Sequence, residues 1–363
     1  MMIKKRIESV DVLRGLTIMA MILVNTPGDW SHVYSPLLHA EWHGLTITDF
    51  IFPFFLYIVG ISIYFAYKNK TNTLPTYKKI TIRSLKLIGL GLFLNLFLPY
   101  FPFVVDLEIA RFPGVLQRIG VVFFISSVLY LNSNWKILLV ISIFILIGYW
   151  LFLGFTPFPN GMSPTFNRAP NNWANYVDLK ILGKHMWQPD YDPEGVLSTL
   201  PAIVTCISGI LVGKLLDKLK PLKSLLLTAF ILLIIGYSYS IVFPINKALW
   251  SNSFVLVTSG WGTLVLATIY YLKDVKQYRF GNLLKYVGVN AITIYFLSSF
   301  ISKCMYFIKV GETNNLHTYV YEFAFTHDFL SLRLSSLLYA LAVVMVYVLL
   351  GYWMNKRRIF IKV

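Results

Sequence analysis

The chain has 363 residues, of which 57% are hydrophobic and 13% charged, with a mean hydropathy of +0.65; one water-soluble core does not hide that much apolar surface at this length. A soluble globular domain is therefore excluded, and apolar runs of about 18 to 22 residues mark a polytopic membrane protein. The net charge of +16 does not point to nucleic acid, because Lys and Arg fall in short clusters between the apolar runs and read as topology signals and contacts to anionic lipid.

The runs with the length of a membrane helix are 10 to 26, 45 to 67, 82 to 99, 113 to 131, 136 to 154, 196 to 216, 222 to 243, 251 to 272, 286 to 306 and 332 to 354. The predicted fold class is therefore all-α, a single transmembrane domain over 1–363 made of about ten helices. The first run contains Asp11 and Arg14 and no small-residue cleavage site follows it, which predicts a retained first span. Cys206 and Cys304 both fall inside apolar runs and read as small buried side chains, and without Cys/His ligand spacing no metal is expected. Basic clusters occupy alternate connections: Lys4 to Arg6, Lys68 to Lys79, Lys214 to Lys223, Lys273 to Arg279 and Lys356 to Arg358. The positive-inside rule then predicts that both termini are cytoplasmic.

The connections 27–44, 100–112, 155–195, 244–250 and 307–331 fall on the opposite face. They carry few basic residues and many Trp, Tyr, Phe, Pro, Asn and Asp, as in WANYVDLK and HMWQPDYDPEG. Two readings stand side by side: an interfacial aromatic belt, or a sugar-sized cleft in which aromatic faces and carboxylates meet a polyhydroxylated ring. The 155–195 connection is too long for a simple link and reads as a lid or binding surface.

Polar groups within the apolar runs need an explanation. Asp11 and Arg14, three apart on one helical face, can pair, or Arg14 can join Arg6 in a phosphate site. Arg111, Gln117 and Arg118, in RFPGVLQR, imply a ligand or an internal ion pair. The stretch from Asn25 to Pro53 is the densest in groups able to move protons, with His32, His39 and His43, Asp29 and Asp49, Glu41, Trp30 and Trp42. Asn25 suits a helix C-terminus, and Asp49 suits the start of the next helix or the orienting of an imidazole. Three His in one short loop point to chemistry, but spacing does not select among them.

The segments RIESVDVLRGLTIMAMILVN, LLHAEWHGLTITDFIFPFFLYIVGISI, RFPGVLQRIG, YDPEGVLSTLPAIVTCISGILVGK, PINKALWSNSFVLVTSG and GVNAITIYF resemble, in this order, the bacterial relatives of heparan-α-glucosaminide N-acetyltransferase, within the transmembrane acyltransferase group. The resemblance implies a multi-helix enzyme that takes acetyl-CoA from the cytoplasm and acetylates the amino group of a terminal glucosamine on the far side of the membrane. It puts the catalytic histidine of the HAxW motif on His39, its active-site partner on Asn25, and the family's Asp before the FP of the second span on Asp49. The lysosomal members carry a further lumenal domain, so this chain is expected to be the catalytic membrane unit. Its far-side loops are acidic and aromatic, a poor surface for a sulfated polymer. A free or terminal amino sugar, or a glycan fragment, is the expected acceptor.

Acetyl transfer to an amine needs a base near neutral pKa and donors where the thioester oxygen gains charge. His39 is the expected base, Asn25 the donor or acceptor-holding group, and Asp49 the group that fixes the imidazole tautomer. Arg6, Arg14 and Arg118, with the basic C-terminal tail, are the residues expected to bind acetyl-CoA. The expected partners are acetyl-CoA, an amino-sugar acceptor and the lipid bilayer, with a homodimer allowed for, and the expected location is a bacterial inner membrane. An O-acyltransferase acting on a glycan hydroxyl and a transporter without chemistry are the rival readings.

Overall fold

The computed structural model describes residues 7–159, 161–312 and 314–361. Among the described residues its regular structure is helical apart from one short two-stranded ribbon and an isolated bridge between Phe97 and Val104, as the continuous apolar runs require when backbone polar groups must be satisfied within each segment. In chain order the helices are α1 (Glu8–Asn25), α2 (Ile51–Tyr67), α3 (Leu74–Leu96), α4 (Val115–Asn132), α5 (Trp135–Phe155), α6 (Trp173–Leu182), α7 (Thr199–Leu216), α8 (Leu222–Tyr239), α9 (Asn252–Tyr270), α10 (Asn282–Val289), α11 (Ala291–Phe307), α12 (Leu316–Phe325) and α13 (Leu332–Lys356). Strands β1 (Lys309–Val310) and β2 (Asn314–Asn315) pair antiparallel just before α12.

Among the described residues seven helices are long and apolar enough to cross a bilayer, or eight if α10 and α11 count as one bent span. The sequence-based figure of about ten also takes in α1 and α3. Both have the length, at 18 and 23 residues, but Glu8, Asp11 and Arg14 on α1 and Lys78, Lys79, Arg83 and Lys86 on α3 take them out of the apolar set. The expected run 286 to 306 is broken: α10 and α11 meet at an angle of 82°. Asn290 at the break is committed to the C-terminal tail, donating to the Ile359 carbonyl at 3.0 Å and accepting from Ile361 N at 3.0 Å.

Two backbone contacts set the centre of the bundle. A Cβ on Gly60 of α2 would lie 1.9 Å from the Cys206 carbonyl oxygen of α7, and one on Gly209 would lie 1.9 Å from that of Tyr57. Gly15 and Gly288 join α1 to α10 in the same way, with clashes at 1.8 and 1.9 Å. Small residues allow this approach where apolar side chains gain nothing by leaving lipid for one another. α7 is the most enclosed spanning helix and α5 and α8 the least; Phe144 on α5 and Ile234 on α8 point outward, as lipid-facing side chains do.

The alternating helices give the bundle two chemically distinct ends. Lys68, Lys214 and Lys273 gather at one end together with Ile7 and Ile361. The other end carries the 26–47 loop, the 156–198 connection with α6, the 240–251 loop, and the ribbon with α12.

Candidate active site

Asp49 lies in a 3-10 turn, Thr48–Phe50, that leads into α2, and its side chain is 1% exposed. The sequence left it as a cap of the second helix or as the orienter of an imidazole. Its carboxylate turns towards the preceding loop: Oδ2 accepts from Ala40 N at 3.2 Å, Thr46 N at 3.0 Å and Thr46 Oγ1 at 3.0 Å. With Oδ2 saturated, Oδ1 is left for His39 Nδ1 at 2.7 Å. A buried carboxylate held by three donors fixes the ring plane and the tautomer of its imidazole, with Nδ1 donating and the lone pair on Nε2.

His39 is half exposed, and the space it faces is a cavity of about 600 Å³, within the range of small-molecule sites. Asn25, the last residue of α1, lines the same cavity, and its side-chain amide has no hydrogen-bond partner among the described residues. Trp30, Trp187 and Glu194 contribute aromatic faces and a carboxylate. Arg111 also reaches this wall as part of an ion-pair network: Nε and Nη2 grip Asp192 at 2.8 and 2.6 Å, and Nη2 also bonds Glu194. The internal-pair reading of Arg111 therefore holds, and the network pins the end of the 156–198 connection to the start of α4.

Lys247 was missed from the sequence. Its Nζ lies 3.2 Å from Nδ1 and 3.1 Å from Nε2 of His39, and 4.0 Å from Asp49 Oδ1. Burial pushes its ammonium below the ordinary lysine range, with Asp49 pulling the other way. The available signal was its place in the chain: it sits within PINKALW, in the short connection 244–250 on a face otherwise poor in basic residues.

The other two histidines of the loop have different work. His32 Nδ1 lies 2.6 Å from Asp29 Oδ2, at a 3-10 turn that Asp29 caps through Ser31 N. His43 bridges two connections, with Nε2 3.0 Å from Asn167 Oδ1 and Nδ1 3.3 Å from Asn246 Nδ2. Neither lines the cavity.

Arg14 sits towards the basic end. Nη1 donates to Asp11 at 2.9 Å and to the Gly288 carbonyl at 3.3 Å, and Nη2 donates to Ser62 Oγ at 2.8 Å. The expected pairing with Asp11 is thus present, and Arg14 also lines a second cavity, of about 260 Å³, together with Arg83 and the break between α10 and α11. Arg83 stands over Phe123, its Nε buried without a hydrogen-bond partner among the described residues. Arg6 lies outside the described residues. Arg118 is at the opposite end from Arg14, in the first turn of α4, and lines neither cavity. It is buried over Trp250, with Nη2 donating to the Gly195 carbonyl at 2.8 Å and to Ser198 Oγ at 2.5 Å. It clamps the start of α7 and shares no anion site with Arg14.

Fold and site together define an all-helical integral membrane protein with a carboxylate-oriented imidazole opening on a cavity at one end of its bundle, an arrangement suited to acid–base chemistry. Residues 6–191 match the family described as heparan-alpha-glucosaminide N-acetyltransferase, catalytic, a stretch that includes Asn25, His39 and Asp49 and stops short of Glu194 and Lys247. The chain belongs to this family. It is 31% identical to heparan-alpha-glucosaminide N-acetyltransferase of Homo sapiens and 30% identical to that of Mus musculus, each over 80% of the chain and over 52% and 53% of the relative. It thus spans about half the length of the curated relatives it matches.

Proposed function

We propose that the protein is a transmembrane N-acetyltransferase that moves an acetyl group from acetyl-CoA to the amino group of a glucosamine-type sugar, with His39 as the general base. The observation that carries this reading is the His39–Asp49 pair opening on the cavity that Asn25 lines, in a chain of this family. His39 Nε2 takes a proton from the attacking amine, and Asp49 stabilises the imidazolium that results. Asn25 offers its amide N–H to the acetyl oxygen or to the acceptor. Direct attack in a ternary complex is the preferred route, since no acetyl-imidazole then has to survive beside water.

Trp30 and Trp187 offer faces to a pyranose ring, and Glu194 offers an acceptor to its hydroxyls. Taken together the far-side connections carry more Asp and Glu than Lys and Arg, which disfavours a highly sulfated chain and favours a free or terminal amino sugar. For the donor, Arg14 and Arg83 are assigned to the phosphates, because Arg matches phosphate geometry and a second cavity places both beside a helix break. Arg14, Ile18, Met21 and Asn25 lie on one stripe of α1, and Ser62, Val59, Phe55 and Phe52 on one stripe of α2. These stripes lead from one cavity to the other over about 16 Å of helix, the line along which a pantetheine arm would run. With the basic end taken as cytoplasmic, both termini face the cytoplasm of a bacterial inner membrane.

The test is mass spectrometry of glucosamine and glucosamine-terminated oligosaccharides incubated with the purified protein and isotope-labelled acetyl-CoA. An alkali-stable labelled acetamide together with free CoA is expected. Unmodified acceptor and intact thioester would sink the reading, and passage of unchanged sugar across a vesicle would put a transporter in its place.

A further inference from the structure

Lys247 approaches the imidazole from a connection that contributes nothing else to the base. It also lines the cavity. We infer that Lys247 is a further catalytic residue, whose ammonium holds the carbonyl oxygen of the acetyl thioester as that oxygen gains charge. The inference rests on the acetyl-transfer reading and adds a residue to it.

Three observations carry it. The first is position: an amine whose proton is shared with Nε2 attacks a carbonyl placed next to that nitrogen, and Lys247 Nζ is 3.1 Å from Nε2. A cation at that spot is within reach of the carbonyl oxygen. The second is charge. The other cation lining the cavity, Arg111, is already committed to Asp192 and Glu194. Lys247 has no carboxylate nearer than Asp49 Oδ1 at 4.0 Å among the described residues, and with Nδ1 given to Asp49 the ring acceptor left to it is Nε2 at 3.1 Å. The third is cost. A half-buried ammonium whose nearest carboxylate stands 4.0 Å away has given up solvation for only a loose ion pair in the resting protein, whereas a developing oxyanion in direct contact repays more of that loss in the transition state.

The step balances without a further reactant. The amine nitrogen forms a bond to the thioester carbon, and the carbonyl π pair moves onto oxygen, where Lys247 N–H donates to it. The amine proton passes to His39 Nε2. When the oxygen pair returns, the C–S bond breaks and the CoA thiolate recovers the proton from the imidazolium. Lys247 keeps its own proton throughout, and Asn25 brackets the oxygen or the acceptor from α1.

Thiol release from acetyl-CoA tests this, because it reads thioester cleavage whether the acceptor is an amino sugar or water. Lys247→Met keeps the length of the side chain and removes the charge, and turnover should fall by about 10²- to 10³-fold with acetyl-CoA affinity kept. Lys247→Arg should restore most of the loss and guards against a Met variant that does not fold. At pH 8, diethyl pyrocarbonate should label His39 faster in Lys247→Met than in the wild type, since the lone pair on Nε2 is then uncovered. A folded Lys247→Met protein with near-normal thiol release, or with unchanged His39 labelling, would overturn the assignment. A wild-type protein that releases no thiol would instead overturn the acetyl-transfer reading itself.

Discussion

The segment between α1 and α2 holds two Asp–His pairs of nearly equal length. Asp29 meets His32 at 2.6 Å and Asp49 meets His39 at 2.7 Å. Their carboxylates differ: the side chain of Asp29 is 33% exposed and that of Asp49 is 1% exposed. Asp29 spends its other oxygen on Ser31 N and so closes a turn. Asp49 receives three donors on one oxygen and presents the other to a ring that faces a cavity and a lysine. An Asp–His contact is therefore no site by itself. What distinguishes one is that the carboxylate cannot turn away and that the far nitrogen has somewhere to act.

The largest effects should come from the buried pair. His39→Ala should lower turnover on the order of 10²- to 10⁴-fold while acetyl-CoA binding is largely kept, measured as kcat against the donor dissociation constant. A folded His39→Ala protein with near-normal turnover would leave the two pairs equivalent. Asp49→Asn should approach the same loss by another route. The donors from Ala40 and Thr46 need an oxygen, so the amide N–H₂ would face Nδ1 and force the tautomer whose proton is on Nε2, which leaves no lone pair for the amine. Activity within a few-fold of wild type for Asp49→Asn would mean that the carboxylate only caps the loop. Asn25→Ala should cost less, about a hundredfold, and the loss should fall on turnover if the amide serves the oxyanion and on the acceptor KM if it holds the sugar.

Much of this was legible in the sequence. Long apolar runs fix helices whatever their neighbours, so nearly all spanning elements were visible. The site segment stood out because ionisable groups are costly beside a membrane and three histidines met there. Spacing alone did not choose His39, because ten residues separate it from Asp49 and nothing local shows that Asp49 turns back to accept from Ala40 and Thr46. Lys247 was hidden for the same reason: it comes from a loop 208 residues away. The bend between α10 and α11 was read as a single run because no proline marks it, and its cause is a long-range one, Asn290 bonding the C-terminal tail. Arg118 was grouped with Arg14 by residue type, although its place at the start of α4 puts it at the other end of the bundle.

A middle-sized effect should come from His43. It lies outside the cavity, yet its two ring nitrogens tie Asn167 of one connection to Asn246, the neighbour of Lys247. His43→Ala should therefore lower turnover modestly, by about three- to tenfold, through looser placement of Lys247, since second-layer hydrogen bonds set the precision of a site. His43→Gln, which keeps one donor and one acceptor, should recover part of it. A loss as large as that of His39→Ala would move the base to His43.

The smallest effect sharpens the comparison most. The hydrogen bond from His32 holds the Asp29 carboxyl below its usual range, with the Ser31 backbone N–H adding to the pull. A carboxylate whose pKa is depressed on folding contributes stability above its unfolded value, ~3.9, and loses it only as pH falls through the lower folded value. His32→Ala should raise the midpoint of the Asp29 carboxyl, read from its side-chain carbon resonance, while turnover stays within about twofold, as for a surface change remote from the chemistry. A turnover loss of tenfold or more in a folded His32→Ala protein would mean that exposure does not separate the two pairs, and that the turn carrying Trp30 reaches the bound acceptor.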